Sequence, residues 1–78
     1  MPMDIKKIVE YMVKALVQNP DQVLITEKKD NARILFEIHV DQGDLGRVIG
    51  KNGRTIKSIR SIAGLVSKER NIYVDVAK

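Results

Sequence analysis

The sequence predicts an α+β fold in the order helix, strand, strand, helix, helix, strand. Three observations carry this expectation. Apolar residues between positions 3 and 18 recur at helical spacing, those between 32 and 40 alternate, and a second helical stripe starting at Ile56 leads into an alternating segment at 72–76.

The first helix is expected over residues 3–18. Ile5, Ile8, Val9, Met12, Val13 and Leu16 make one stripe, with Lys6, Lys7, Glu10 and Lys14 mostly off it. Pro2 and Asp4 suit its start, and Asn19-Pro20 stops it. A strand follows at 23–28, a turn at 29–31 and a longer strand at 32–40. Ile34, Phe36, Ile38 and Val40 share one face of that strand, while Arg33, Leu35, Glu37 and His39 share the other. The short connection makes the pair an antiparallel hairpin. His39 reads as an exposed histidine without a task.

Gly43 or Asp44 can cap a very short helix that ends at Ile49, and a second helix runs from about 54 to 68. With Ile56 at zero and about 100° per residue, Ile62, Val66, Ile59 and Ala63 fall between about 240° and 340°. Arg54, Lys57 and Arg60 fall between about 40° and 160°, and Leu65 lies near 180°, outside the stripe. One side of this helix is core and the other is basic. Gly64 interrupts it at a cost of about 1 kcal/mol relative to Ala, and a close backbone contact is the one reason the sequence offers. Asn71 fits a helix terminus, and Ile72, Val74 and Val76 face inward from the last strand.

Composition narrows the function. The 78 residues are expected to form one domain, 1–78, without linker or repeat. A domain of this size buries only about 60% of its unfolded surface. Cysteine is absent and histidine occurs once, so no metal or thiol chemistry and no cofactor are expected. No apolar run reaches the roughly 18 residues of a membrane span, and no signal-peptide layout is visible; a cytoplasmic location is expected. No Ser/His/Asp, Cys/His or paired-carboxylate arrangement suggests catalysis, so no catalytic residue is assigned. The net charge is +4, and positions 44–70 hold seven of the fourteen Lys and Arg but only two of the ten Asp and Glu. That concentration suits a polyanion.

The basic segment contains Val48-Ile49-Gly50-Lys51-Asn52-Gly53-Arg54-Thr55-Ile56, flanked on its other side by Arg47. Two glycines bracket two polar residues at the start of a helix. Such a turn offers bare N–H groups, a helix dipole and an ammonium to a phosphate. It is not a P-loop, which would need Gly at the position of Leu45 and Ser or Thr at that of Asn52. It is not a dinucleotide fingerprint either, because Val48 stands where a glycine would be required.

This nonapeptide resembles the signature of the KH domain, an apolar pair followed by GxxG and isoleucine. The element order is similar to the type II arrangement, αββααβ, and the chain as a whole is similar to the small stand-alone bacterial KH proteins of the KhpA family. The resemblance implies a three-stranded mixed sheet with the helices on one face. It also implies a groove for about four nucleotides of single-stranded RNA, or sometimes single-stranded DNA. In that reading Gly50 and Gly53 admit the sugar-phosphate backbone, and Lys51 and Asn52 face its phosphates. Val48, Ile49 and Ile56 shape the apolar floor or the core beneath it, and Arg47, Arg54 and Lys57 add charge nearby. Only Tyr11, Phe36 and Tyr73 are aromatic, so stacking on an aromatic platform is not expected. The resemblance further implies pairing with a second copy or with another KH protein. Ile62, at the rim of the core stripe, and Leu65, outside it, are the expected surface for it.

Overall fold

A computed structural model describes residues 4–67 and 71–77. Helix α1 (Ile5–Leu16) leads into strands β1 (Leu24–Asp30) and β2 (Arg33–His39). Helices α2 (Leu45–Ile49) and α3 (Arg54–Val66) follow, and strand β3 (Ile72–Val76) ends the order. The sheet order is β1-β2-β3, with β2 antiparallel to β1 and parallel to β3. This is the mixed three-stranded sheet and the αββααβ order of the type II KH fold.

Asp4 starts α1 by accepting a hydrogen bond from the Lys6 N–H at 3.0 Å. The hairpin turns in two residues, Asn31 and Ala32, and Asn31 takes a positive φ of 40°. Asparagine tolerates that conformation better than most residues. Pleating sends Phe36 and Ile38 inward, where Ile38 faces Ile25 across the antiparallel ladder and Phe36 faces Val74 across the parallel one. These side chains join Val9, Val13, Val48, Ile56, Ile59 and Ala63 in one buried core. Burying a side chain such as Ile38 stabilises the fold by about 1.5–3 kcal/mol.

Several expectations change in the structure. Strand β1 runs on to Asp30, and β2 begins at Arg33. The expected helix start at residue 3 and helix end at residue 68 lie outside the described residues. α1 stops at Leu16, before Asn19-Pro20, and α3 stops at Val66. Asn71 serves the sheet: its carbonyl accepts from the Ile34 N–H at 2.8 Å. His39 has partners, with Nε2 3.2 Å from Thr26 Oγ1 and 3.2 Å from Glu37 Oε1. A Cβ built on Gly64 would meet nothing within 4 Å, so no close backbone contact explains that glycine. Arg60 leaves the basic side of α3. Its Nε donates to the Val74 carbonyl at 2.6 Å, and its Nη2 donates to Asp75 at 3.0 Å. Its guanidinium also stands 4.8 Å from the centre of the Tyr73 ring.

Candidate nucleic-acid interface

The basic loop is built by backbone conformation. Gly50 closes α2 at φ 77° and ψ 171°, donating its N–H to the Gly46 carbonyl at 2.9 Å. Lys51 to Gly53 then form a single 3-10 turn, with Asn52 at φ 56° and Gly53 at φ 73°. The Gly53 N–H returns to the Gly50 carbonyl at 3.1 Å. Three of the four loop positions, Gly50, Asn52 and Gly53, therefore take a positive φ, which glycine and asparagine allow. Gly50 also has no room for a side chain: a Cβ there would strike Thr55, including its backbone N at 2.9 Å.

This turn pushes Lys51 and Asn52 into solvent. Gly53 is the N-cap of α3 and supplies no side chain to cap it. The positive end of the α3 dipole is thus left facing the loop. Arg47, Arg54 and Lys57 are exposed around it. Among the described residues, Lys51, Arg54 and Lys57 have no carboxylate partner, so their charge is available to a ligand.

The apolar members of the motif divide between two roles. Val48 and Ile56 are buried in the core and support the loop from beneath. Ile49 is half-buried and is the apolar motif residue at the surface. Ile62 and Leu65 lie elsewhere, on the outer side of α3, 44% and 84% exposed. Tyr11 and Leu16 on α1 are also exposed, and they line a shallow apolar groove with Met12 and Ile62. Leu16, expected in the buried stripe of α1, lies instead where the α1–α3 contact opens to solvent, and Ile62, expected at the rim of the α3 stripe, is exposed there too.

Sequence reasoning missed the part played by Asp44. It occupies the N-cap position of α2, yet its side chain does not cap that helix. Asp41 caps the preceding turn by accepting from the Gly43 N–H at 3.1 Å. The Asp44 carboxylate is 1% exposed and faces the chain after α1. It accepts from the backbone N–H groups of Gln18 and Asn19, each at 3.0 Å, and from Asn19 Nδ2 at 3.2 Å. The Gln18 N–H, with Asn19 and Arg47 behind it, holds this carboxyl below its ordinary pKa against the opposing effect of burial. An ionised carboxylate thus ties the end of α1 to the start of α2, and a five-residue helix too short to show periodicity gave no signal of it.

Among the described residues no helix is long and apolar enough to cross a membrane, and no group of three or more His, Cys, Asp or Glu could hold a metal ion.

The family described as KhpA/KhpB, KH domain matches residues 6–77. The RNA-binding protein KhpA of Chlamydia trachomatis is 39% identical over 71 residues, covering 91% of each chain. The protein of the same name from Halalkalibacterium halodurans is 38% identical over 73 residues, covering 91% of this chain and 96% of its own. That of Streptomyces coelicolor is 35% identical over 72 residues, covering 92% and 90%. No solved structure matches. A family match across nearly the whole chain, relatives matched over nine-tenths or more of their own length and the Gly50–Gly53 turn agree: the chain belongs to the KhpA/KhpB family of KH domains.

Proposed function

We propose that this protein binds single-stranded RNA without catalysing a reaction, gripping about four nucleotides at the Gly50-Lys51-Asn52-Gly53 turn. The presentation of Lys51 and Asn52 carries the reading. They stand exposed between two glycines at the positive end of α3, and beside them Arg54 and Lys57 have no carboxylate partner among the described residues. Phosphates meet backbone N–H groups and cations there, Ile49 offers apolar contact to a base, and Val48 and Ile56 keep the turn in place from the core. The names of the relatives support RNA as the ligand. Tyr73 is engaged by Arg60 and by Arg33, whose guanidinium is 5.5 Å from the ring centre, so that aromatic is not a free stacking platform. The same grip extends in this reading to single-stranded DNA, and the cytoplasm is the proposed site of action.

Salt titration of binding to a short single-stranded RNA tests this. With two to four phosphate contacts, log K against log[salt] has a slope of about −1.5 to −3. A flat line would show that the basic side of the domain is only solvated.

A second reading, compatible with the first, is pairing with another copy or another KH protein through α3. The exposure of Leu65 and Ile62 favours it, since apolar side chains grouped outside a small core mark a contact surface. Ile62→Asp or Leu65→Asp is expected to shift a dimer toward monomer in sedimentation. A wild type that stays monomeric at high concentration would remove self-pairing.

A further inference from the structure

Lys57 follows Arg54 by three residues on α3, and Arg60 follows Lys57 by three, so the helix carries a row of neighbouring cations away from the turn. From Arg54 to Arg60 the row rises about 9 Å. Four nucleotides stacked at duplex spacing, about 3.4 Å each, cover that distance. Arg60, the last of the row, crosses to the open edge of β3. Asn71 and Ala77 bond to β2 through Ile34 and Ile38. By alternation the backbone groups of Val74 and Val76 are turned to that open edge.

Arg60 is held there by three contacts. Its Nε donates to the Val74 carbonyl, its Nη2 donates to Asp75 Oδ1, and the Tyr73 ring lies 4.8 Å from its guanidinium. These bonds use two of the five N–H groups of the fork. Asp75 Oδ1 also accepts from the Val76 N–H, while Oδ2 accepts nothing among the described residues. Both side chains reach solvent, 29% exposed for Arg60 and 41% for Asp75. Spare N–H donors thus stand beside a spare acceptor, in a geometry fixed before any ligand arrives.

A donor next to an acceptor is the complement of a nucleobase edge. Adenine and cytosine each carry an amino group beside a ring-nitrogen acceptor. The amino group can donate to Asp75 Oδ2 while the guanidinium donates to the ring nitrogen. Uracil fits worse. Its one N–H lies between two carbonyl oxygens, and one of these would be pressed against the carboxylate. We propose that Arg60 and Asp75 together select a base of the RNA held at the Gly50–Gly53 turn, preferring adenine or cytosine to uracil. This rests on the reading of that turn as the grip. A pair that only tied α3 to the sheet would leave the bases undistinguished.

Titration with adenylate, cytidylate and uridylate oligonucleotides of one length, at one salt concentration, tests the pair. The first two should bind at least about fivefold more tightly than the third. In Asp75→Asn the side-chain oxygen can keep Arg60 and the Val76 N–H, which puts an NH2 group where Oδ2 was. The preference should then fall to within about twofold, while affinity for the uridylate oligonucleotide holds. Replacing adenosine by purine riboside removes the amino group from the ligand instead, and should weaken wild-type binding to the uridylate level. That measurement needs no variant, so it decides even if Asp75→Asn does not fold. The proposal is overturned if wild type binds all three oligonucleotides alike, if folded Asp75→Asn keeps the preference, or if loss of the amino group costs nothing. Lys51→Asp/Asn52→Asp should weaken all three together. Unchanged affinities there would remove the turn as the grip, whereas a preference lost in Asp75→Asn would still report on the pair.

Discussion

Replacing Lys51 and Asn52 together by Asp is expected to weaken binding of single-stranded RNA by at least about tenfold, roughly 1.4 kcal/mol, without unfolding the domain. Both side chains are exposed, and both glycines remain to make the turn. Asn52 sits at φ 56°, where Asp is among the better-tolerated replacements. Surface changes of this kind usually move stability by no more than about 0.5 kcal/mol, and carboxylates near the start of α3 suit its dipole. The fold should therefore keep its circular dichroism and melting temperature. Binding responds differently, because one cation is lost and two anions appear where phosphates would lie. Lys57→Ala, farther along α3, should cost less. A folded double variant that binds like wild type would leave the chain better read as a partner-binding KH domain.

Gly50→Ala should do the reverse and damage the fold first. A Cβ at this position would collide with the Thr55 side chain and lie 2.9 Å from its backbone N. Thr55 belongs to α3, whose Ile56 and Ile59 are locked in the core, so the helix cannot retreat. The positive φ of 77° adds backbone strain for any residue with a Cβ. Together these should cost about 2 kcal/mol or more. In a domain of this length that lowers the melting temperature by about 10 °C. Gly53→Ala provides the comparison: φ is 73°, but nothing lies within 4 Å of its Cβ position. Only the left-handed penalty of about 1 kcal/mol applies there. Urea denaturation of the two variants measures the difference, and equal losses would show that contact with Thr55 is not what makes Gly50 a glycine.

Much of this architecture could be read from the chain because its elements are periodic. The alternation of Ile34, Phe36 and Ile38 and the helical stripe through Val9 and Val13 each report a buried face directly. The nonapeptide around Gly50 was legible for another reason: positive φ and bare backbone demand particular residue types in a fixed order. Long-range polar contacts leave no such trace. Nothing near Asp44 in sequence shows that its carboxylate reaches Gln18 and Asn19, and nothing near Arg60 shows that it reaches Val74. Helical position alone placed Arg60 beside Arg54 and Lys57. Its long side chain instead found an open carbonyl and the Tyr73 ring. The exposure of Leu16 was hidden likewise, since a stripe gives the direction a side chain faces but not whether the neighbouring helix reaches far enough to cover it.

That reach of Arg60 bears on how the domain avoids other copies of itself. β3 ends the sheet, and an end strand presents unpaired backbone groups on which a foreign strand can assemble. At the middle of β3, Arg60 already occupies the Val74 carbonyl, and the Asp75 carboxylate accepts from the Val76 N–H at 2.9 Å. An incoming strand would have to displace a charged side chain from the first site and a carboxylate from the second. The opposite border, β1, is guarded by charge, with Glu27, Lys28, Lys29 and Asp30 all exposed. Both borders of the sheet are thus unattractive templates for aggregation.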